Sequence, residues 1–283
     1  MEYTTLNDGN RMPMFGFGVF QVPDPAQCEQ AVTWALDAGY RLLDTAAAYM
    51  NEEAVGRAIA QSGVTRDDLF VTTKLWTQDQ GYDAAKRAVD VSLAKLGLDY
   101  LDLYLIHQPV GDYYGSWRAM EELHREGALR SIGVPNFRPD RLQDLVDHND
   151  VVPAVNQVEI NPWFRQVKVV PFMESLGVRP EAWGPFAEGN HDIFHNPVLT
   201  EIAEAHGKGV GQVILRWHLQ RGVVAIPKSV RKERIEENFD IFDFELTDDD
   251  MDRIAALERG HSEIVNHDDP AFIHMIGTMK IHE

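Results

Sequence analysis

Short runs of apolar and β-branched residues alternate with longer stretches of helical period along most of the chain. The runs are "FGFGVF", "YRLLD", "LFVTTK", "LDLYLIH", "RSIGV", "PAVNQVE", "GVRPEAW" and "GVVAIPK". The stretches between them begin with residues that have a physical reason to start a helix. Asp24 and Pro25 open the first, because a carboxylate can cap free N–H groups and proline suits the first helical position. Asn51 opens the second, Pro139 the fifth, and Asn196 with Pro197 a later one. Thr247 followed by Asp250 reads as a capping box for a helix near the C-terminus. Eight strand-like runs interleaved with helices predict an α/β fold, a closed (β/α)8 or TIM barrel in preference to a doubly wound open sheet. Ahead of the first run, "YTTLNDGNRMPMF" predicts a β-hairpin turning at Asn7, Asp8 and Gly9 that closes the bottom of the barrel. From Glu258 onward the sequence has no clean period, which predicts a loop-rich C-terminal extension. No Gly/Ser/Pro linker interrupts the pattern, so residues 1–283 read as a single barrel domain.

Composition narrows the partners. The 283 residues are 44% hydrophobic and 25% charged, ordinary for a protein with a large core. A formal net charge of −19, from 45 acids against 26 bases, argues against nucleic acid or an anionic membrane as partner. No apolar run approaches the roughly 20 residues of a membrane-spanning helix, and the first residues lack the pattern of a signal peptide; both point to the cytoplasm. The single Cys28 lies in a helical stretch as a buried or half-buried small residue. Against this acidic background "PKSVRKER" is the one dense basic patch, suited to a local anion.

The strand ends carry the chemistry. Barrel active sites form where strands finish at the C-terminal face. "YRLLD" ends in Asp44, "LFVTTK" in Lys74 and "LDLYLIH" in His107. One such charge could be a local salt bridge; three on neighbouring strands are hard to explain by stability alone. Tyr49 follows Asp44 on the next loop. A lysine ammonium beside a phenol is expected to lower its pKa, which is about 10 when free, making Tyr49 a proton donor near neutrality. Asp44 would keep Lys74 charged and placed, and His107 could hydrogen-bond a substrate oxygen. Such a set gives a proton to a carbonyl as it is reduced, or takes one from an alcohol. It holds no hydride of its own.

The segments "GYRLLDTAAAYMNEEAVGRAI", "YLIHQP", "VNQVEINP" and "IPKSVRKERIEENF" resemble the signature segments of the aldo-keto reductases, in order and at fitting separations. Within that superfamily the chain is similar to the short bacterial enzymes of the 2,5-diketo-D-gluconate reductase type. The resemblance implies Tyr49 as general acid, with Asp44, Lys74 and His107 completing a tetrad. It implies a hydride from NADPH, bound over the barrel mouth without a Rossmann domain. Lys228, Ser229, Val230 and Arg234 would take the ribose 2′-phosphate side, and Glu237 and Asn238 the adenine. Asn136 and Gln157 match the pair that binds the nicotinamide carboxamide. Trp183 matches the aromatic on which the ring stacks, followed by Gly184, Pro185 and Phe186 on the pyrophosphate side. Phe20, Trp76 and His107 would line the site of a small carbonyl substrate, with Trp163 or the tail beside them. Monomers are common in this family.

Other patterns carry less. "GFGVFQ" lacks the third glycine and following helix of a dinucleotide fingerprint. "YDAAK", Tyr82 to Lys86, imitates a short-chain dehydrogenase pair but opens an ordinary amphipathic helix. The tail histidines His261, His267, His274 and His282 lack tight metal-ligand spacing, so no metal is expected. Two residues depart from the family. Pro135 stands where a serine usually helps to hold the carboxamide, and it offers neither hydroxyl nor N–H. Pro180 falls inside a strand of a barrel that has no free edge. Two other readings use the same residues: a Schiff-base aldolase built on Lys74, and a non-enzymatic NADPH-binding subunit.

Overall fold

The computed structural model describes residues 1–262 and 264–283. An antiparallel hairpin comes first, β1 (Tyr3–Thr5) against β2 (Arg11–Pro13). Eight parallel strands follow: β3 (Gly16–Gly18), β4 (Leu42–Asp44), β5 (Phe70–Leu75), β6 (Leu101–Ile106), β7 (Leu129–Pro135), β8 (Val155–Glu159), β9 (Arg179–Trp183) and β10 (Val224–Ala225). They pair in chain order from β3 to β10. The ring closes where Phe15 bridges Ala225, the Ala225 N–H donates to the Met14 carbonyl at 3.1 Å, and the Gly18 N–H donates to the Pro227 carbonyl at 3.0 Å. Every residue of β5 and β6 is buried, as expected of parallel strands covered on the outside by helices and on the inside by barrel side chains. All eight runs read from the sequence are therefore strands; "RSIGV" is extended by one residue at each end, "LFVTTK" is shifted by one, and the others are trimmed by one to five residues.

The hairpin caps the end of the barrel where the strands begin. Asn7 donates to the Pro153 carbonyl at 2.9 Å and Asn10 to the Arg130 carbonyl at 2.8 Å, both near the starts of their strands. Close packing inside the wall needs glycine at Gly133 on β7. A Cβ there would stand 2.6 Å from the Val155 carbonyl oxygen and 2.7 Å from a Leu105 methyl.

The helix starts follow the sequence signals with one exception. Asp24 accepts from the Gln27 N–H ahead of helix Pro25–Ala38, and Asn196 accepts from Val198 and Leu199 ahead of Pro197–His206. Thr247 and Asp250 exchange both bonds of a capping box. Asn51 occupies the cap position of helix Glu52–Gln61, yet its side chain makes no cap bond. Its amide is committed elsewhere, to the loops around the site. Cys28 is fully buried, and burial pushes its thiol up to about 11, an inert packing residue.

Both unexpected prolines sit in strands, and neither removes a ladder bond. Along β7 the Asn136 N–H donates to Gln157 on β8, so alternation turns the Pro135 nitrogen toward β6, whose pairing with β7 ends at Gly133. Along β9 the Arg179 N–H donates to Ala154 on the β8 side, so the Pro180 nitrogen faces β10, whose pairing begins one residue later at Glu181. The Arg179 guanidinium meanwhile serves the nearby Gly222 carbonyl at 3.2 Å. A closed barrel thus has local gaps in its ladders where the strands are staggered, and proline fits them.

The tail is more ordered than its sequence predicts. A helix, Pro270–Thr278, forms within it, capped by Asp269. Its partners lie on the loop after β5. The Trp76 indole donates to the Met279 carbonyl at 2.8 Å, Thr77 to the Ile276 carbonyl at 2.6 Å, and the Gln78 amide oxygen accepts from Ile281 at 2.8 Å. His282 pairs with Asp79 at 2.9 Å, and Arg138 with Asp268. The period is hidden because the segment is held by backbone carbonyls rather than by an apolar stripe. No helix among the described residues is long and apolar enough to cross a membrane. Thr247→Ala removes the hydroxyl from the capping box and is expected to cost about 1 kcal/mol in urea unfolding, with activity at the barrel mouth unchanged.

Candidate active site

Asp44 is the last residue of β4, Lys74 the fifth of β5, and His107 follows the last residue of β6, so adjacent strands deliver the three side chains to one rim. Tyr49 comes from a short 3-10 turn, Ala47–Tyr49. Lys74 is wholly buried and donates to Asp44 Oδ1 at 2.5 Å and to the Thr45 carbonyl at 3.0 Å. Its Nζ also lies 5.1 Å from the centre of the Tyr49 ring. The Tyr49 ring meets His107 edge-on at 5.5 Å, His107 meets Trp76 at 5.2 Å, and Phe20 leans on Tyr49 at 5.1 Å. All four tetrad residues and both aromatic substrate candidates therefore form one contiguous cluster. Phe20 is exposed, so the cluster opens to solvent on its side, whereas Trp76 is buried beneath the tail.

The turn that presents Tyr49 is anchored by the residue expected to cap a helix. Asn51 Oδ1 accepts from the Thr45 hydroxyl at 2.8 Å, and its Nδ2 donates to the carbonyls of Val19 at 3.0 Å and Val22 at 3.3 Å. One buried amide thus ties the loop after β3 to the loop after β4. The small residues Ala46 to Ala48 leave room for it.

Charges in the cluster follow from burial and pairing. Burial alone would depress Lys74, but Asp44, with Tyr49 and Glu181 beyond, carries its pKa above the ordinary lysine value. A raised pKa keeps the amine protonated and so weakens it as a nucleophile, which weighs against the Schiff-base reading of Lys74. Burial and then Lys74 hold His107 well below the usual imidazole value, which makes it a neutral hydrogen-bonding group. Its Nδ1 is buried without a partner. For Tyr49 the expected lowering does not occur. Burial raises the phenol more than Lys74 lowers it, and Asp44 adds to the rise. The sequence shows the ammonium beside the phenol but not how little water reaches either.

The cofactor candidates gather on the other half of the rim. The Trp183 indole donates to Asn136 Oδ1 at 2.9 Å, with Asn136 in the left-handed region at φ 58°. Gln157 Nε2 donates to Asp44 Oδ2 and to Glu181 Oε2, both at 2.9 Å. These partners dictate how the two amides point, since an indole N–H can meet only an amide oxygen and a carboxylate only an amide N–H. Asn136 is left with its N–H2 as donor and Gln157 with its Oε1 as acceptor. Gly184, Pro185 and Phe186 follow β9 directly, Gly184 at φ 59°. Lys228 is exposed and forms no ion pair among the described residues. Arg234 and Glu237, both expected to hold the cofactor, are instead bonded to each other at 2.6 Å. Ser229 accepts from the Arg231 N–H at 3.2 Å, Val230 is half-buried and Asn238 is buried.

Two carboxylates were not anticipated. Glu181 lies on β9 two residues before Trp183, on the same inward face, wholly buried. Glu159 ends β8 and is held by Asn161 at 3.1 Å and by Ser262 of the tail. An acid in the middle of the strand run "RPEAW" was the available signal for Glu181; contact with the tail left no trace in sequence for Glu159. At the opposite end of the barrel a cleft of about 460 Å³ is lined by Tyr3, Arg11, Arg41, Asp67, Asp102 and Arg130. Its Asp102 is paired with Arg66 and Arg130, and no tyrosine–lysine pair lies there.

A sequence model of the Aldo/keto reductase family matches residues 14–259. The chain belongs to this family. It is 51% identical over 259 residues to an aldo-keto reductase of Mycolicibacterium smegmatis, covering 90% of this chain and 93% of that one. It is 48% identical over 268 residues to a glyoxal reductase of Bacillus subtilis, covering 94% and 96%. The solved structure of a Bombyx mori aldo-keto reductase in complex with NADP superposes with a TM-score of 0.89 at 38% identity, covering 94% of this chain and 95% of that one. The protein is thus an NADP-dependent oxidoreductase on an aldo-keto reductase barrel, and NADPH is its cofactor. Asn51→Ala is expected to lose about 1–3 kcal/mol of stability from the carbonyls and hydroxyl left unpaired, and to lower kcat more than it raises KM, because the turn carrying Tyr49 is freed.

Proposed function

We propose that this protein reduces small aldehydes and ketones with NADPH, Tyr49 acting as general acid. The observation that carries this reading is the convergence of a phenol on the buried Lys74–Asp44 ion pair beside a neutral His107. Small dicarbonyls and keto sugars such as 2,5-diketo-D-gluconate are the substrate class. A reductase of glyoxal among the relatives and the aromatic cluster of Phe20, Tyr49, His107 and Trp76 support that choice.

The residues fit the cofactor. One free amide donor on Asn136 and one free acceptor on Gln157 complement a primary carboxamide, which has one carbonyl and one N–H2. Trp183 would take the face of the ring, and Lys228 with Ser229 and Val230 the 2′-phosphate. Arg234 would join them at the 2′-phosphate, Glu237 and Asn238 would hold the adenine, and Gly184 to Phe186 the pyrophosphate. When bound, the reduced nicotinamide supplies the hydride.

The protein's own part is to place a carbonyl and supply a proton. His107, neutral, can donate a hydrogen bond to the substrate oxygen without surrendering its charge state. Lys74 stabilises the phenolate that forms as Tyr49 gives up its proton, and Asp44 keeps Lys74 in register. The raised phenol pKa sets the direction of the pH dependence. Tyr49 remains protonated through neutrality, so acid supply for reduction is constant there and falls only as pH climbs through the raised value; alcohol oxidation, which needs the phenolate, gains over the same range.

Pro135 shapes cofactor affinity. With no serine hydroxyl at this position, the Asn136 amide is held by the Trp183 indole alone, so one carboxamide contact is absent.

Two measurements test this reading. NADPH oxidation followed by absorbance over a panel of aldehydes, dicarbonyls and keto sugars should fall about 10²–10⁴-fold in Tyr49→Phe with NADPH binding retained; equal rates in the two proteins would remove Tyr49 from the mechanism. For the carboxamide, Pro135→Ser should tighten NADPH, and Trp183→Phe, which keeps a ring but loses the N–H, should weaken it by about 5- to 10-fold. An unchanged dissociation constant in Pro135→Ser would sink the account of that position.

A further inference from the structure

Glu181 is a buried acid that the tetrad does not use. It is wholly buried on β9, its Oε2 accepts from Gln157 at 2.9 Å, and its Oε1 has no hydrogen-bond partner. The same Gln157 N–H2 group serves Asp44 Oδ2 at 2.9 Å, so two carboxyl groups flank one amide inside the barrel. The groups facing Glu181 are few. Asp44 comes from β4 and Lys74 from β5, with Tyr49 and His107 beyond them at the mouth. Its strand neighbours offer Gln157 on β8 and Val224 on β10, neither of which titrates. Lys74 is committed to Asp44 at 2.5 Å, and Glu181 forms no ion pair among the described residues. One buried ammonium therefore faces two buried carboxyl groups. An ionised Glu181 would be a fully buried charge with an unsatisfied oxygen, far costlier than the neutral acid.

Its place in the site gives this acid a partner. Gln157 is the carboxamide candidate, and Trp183, two residues along the same inward face, is the candidate for ring stacking. A charge on Glu181 would thus be felt by the nicotinamide, which is neutral when reduced and cationic when oxidised.

We propose that Glu181 is carried as a neutral carboxylic acid beneath reduced NADPH and releases its proton more readily beneath NADP+, so that pH sets the ratio of the two cofactor affinities. The release is a proton transfer to solvent, the carboxylic acid becoming carboxylate, and no electron moves with it. Glu181 is a positioning and tuning residue in this account; it touches no reacting atom. Burial, and then repulsion from Asp44, push its carboxyl up to about 8, which places the titration in an accessible range. The inference rests on the cofactor placement proposed above.

By linkage, a cation that binds the ionised form more tightly gains affinity as that form becomes populated. Calorimetric titration of the full-length native chain with NADPH and with NADP+ should show Kd(NADPH)/Kd(NADP+) rising roughly 5-fold or more from about pH 6 to about pH 9. Ionisation of the 2′-phosphate is common to both dinucleotides and cancels in the ratio. In Glu181→Gln, a neutral group of the same shape whose carbonyl can still accept from Gln157, the ratio should be flat. A flat ratio in the native chain, or the same rise in Glu181→Gln, would overturn the proposal. Binding of neither dinucleotide would overturn the cofactor placement and the linkage with it.

Thermal unfolding without nucleotide judges the neutral acid separately. The folded chain keeps a proton that the unfolded chain releases near the ordinary value of 4.5, so on account of Glu181 native stability falls as pH rises from 4.5 toward about 8. That part of the fall should be missing in Glu181→Gln. Parallel Tm curves for the two proteins over this range would show that Glu181 is ionised in the folded chain.

Discussion

The Lys74–Asp44 pair is the interaction on which the rest of the site depends. Taking both charges out of water costs several kcal/mol each, and their attraction compensates only when the geometry is close and the remaining lone pairs are met. Here Lys74 has Asp44 and the Thr45 carbonyl, and Asp44 has Lys74 and Gln157. Once that pair is fixed, the states of its neighbours follow. Its cation helps to keep His107 neutral and works against the rise in the Tyr49 pKa, while its anion adds to the burial that keeps Glu181 protonated. A pair made for stability alone could be replaced by apolar residues of similar volume. This one sits at the end of two strands and sets a fixed positive charge beside a phenol, the arrangement on which the proposed proton transfer rests.

A rigid ring of strands positions these groups, and loops complete them. Asp44, Lys74, Gln157 and Glu181 all project from strands, where a displacement would break ladder bonds. Tyr49, by contrast, depends on a short turn, and the turn depends on Asn51 joining two loops. The tail closes the remaining side, bonding to Trp76 through Gln78 and reaching Glu159 through Ser262. The tail and the loop carrying Phe20 can then vary while the strand-borne charges stay constant, a division of labour that suits barrels generally.

Strand existence and order were legible because each strand is a short apolar run that a parallel barrel buries on both faces. The meeting of Asp44, Lys74 and His107 was legible for a related reason: an ionisable residue ending such a run has few places to go other than the rim. What the sequence hid is of a different kind. Asn51 reads as a cap because local rules see only the next four residues, whereas its partners Val19 and Val22 lie about thirty positions away. The direction of the Tyr49 shift depends on burial, which no spacing reports. Pro135 and Pro180 look wrong for a barrel until strand stagger shows that their nitrogens face the ends of ladders. Glu181 lay in plain view in "RPEAW", and only the three-dimensional closure of the ring brings it across from Asp44.

The surface poses the opposite problem from the interior. A chain of net charge −19 must accept a polyanionic dinucleotide, and at physiological ionic strength fields beyond about 8 Å are largely screened. Attraction therefore has to be local, and the basic patch after β10 supplies it unevenly. Lys228 forms no ion pair among the described residues, whereas Arg234 is held by Glu237. Since both belong to helix Lys232–Phe239, the arginine can exchange a carboxylate for a phosphate by side-chain rotation alone, with no movement of the barrel. The carboxylate it leaves is the group proposed to meet the adenosine. Compensation between these two residues lets Arg234 rest paired in the free protein and turn toward the proposed phosphate only when the anion arrives.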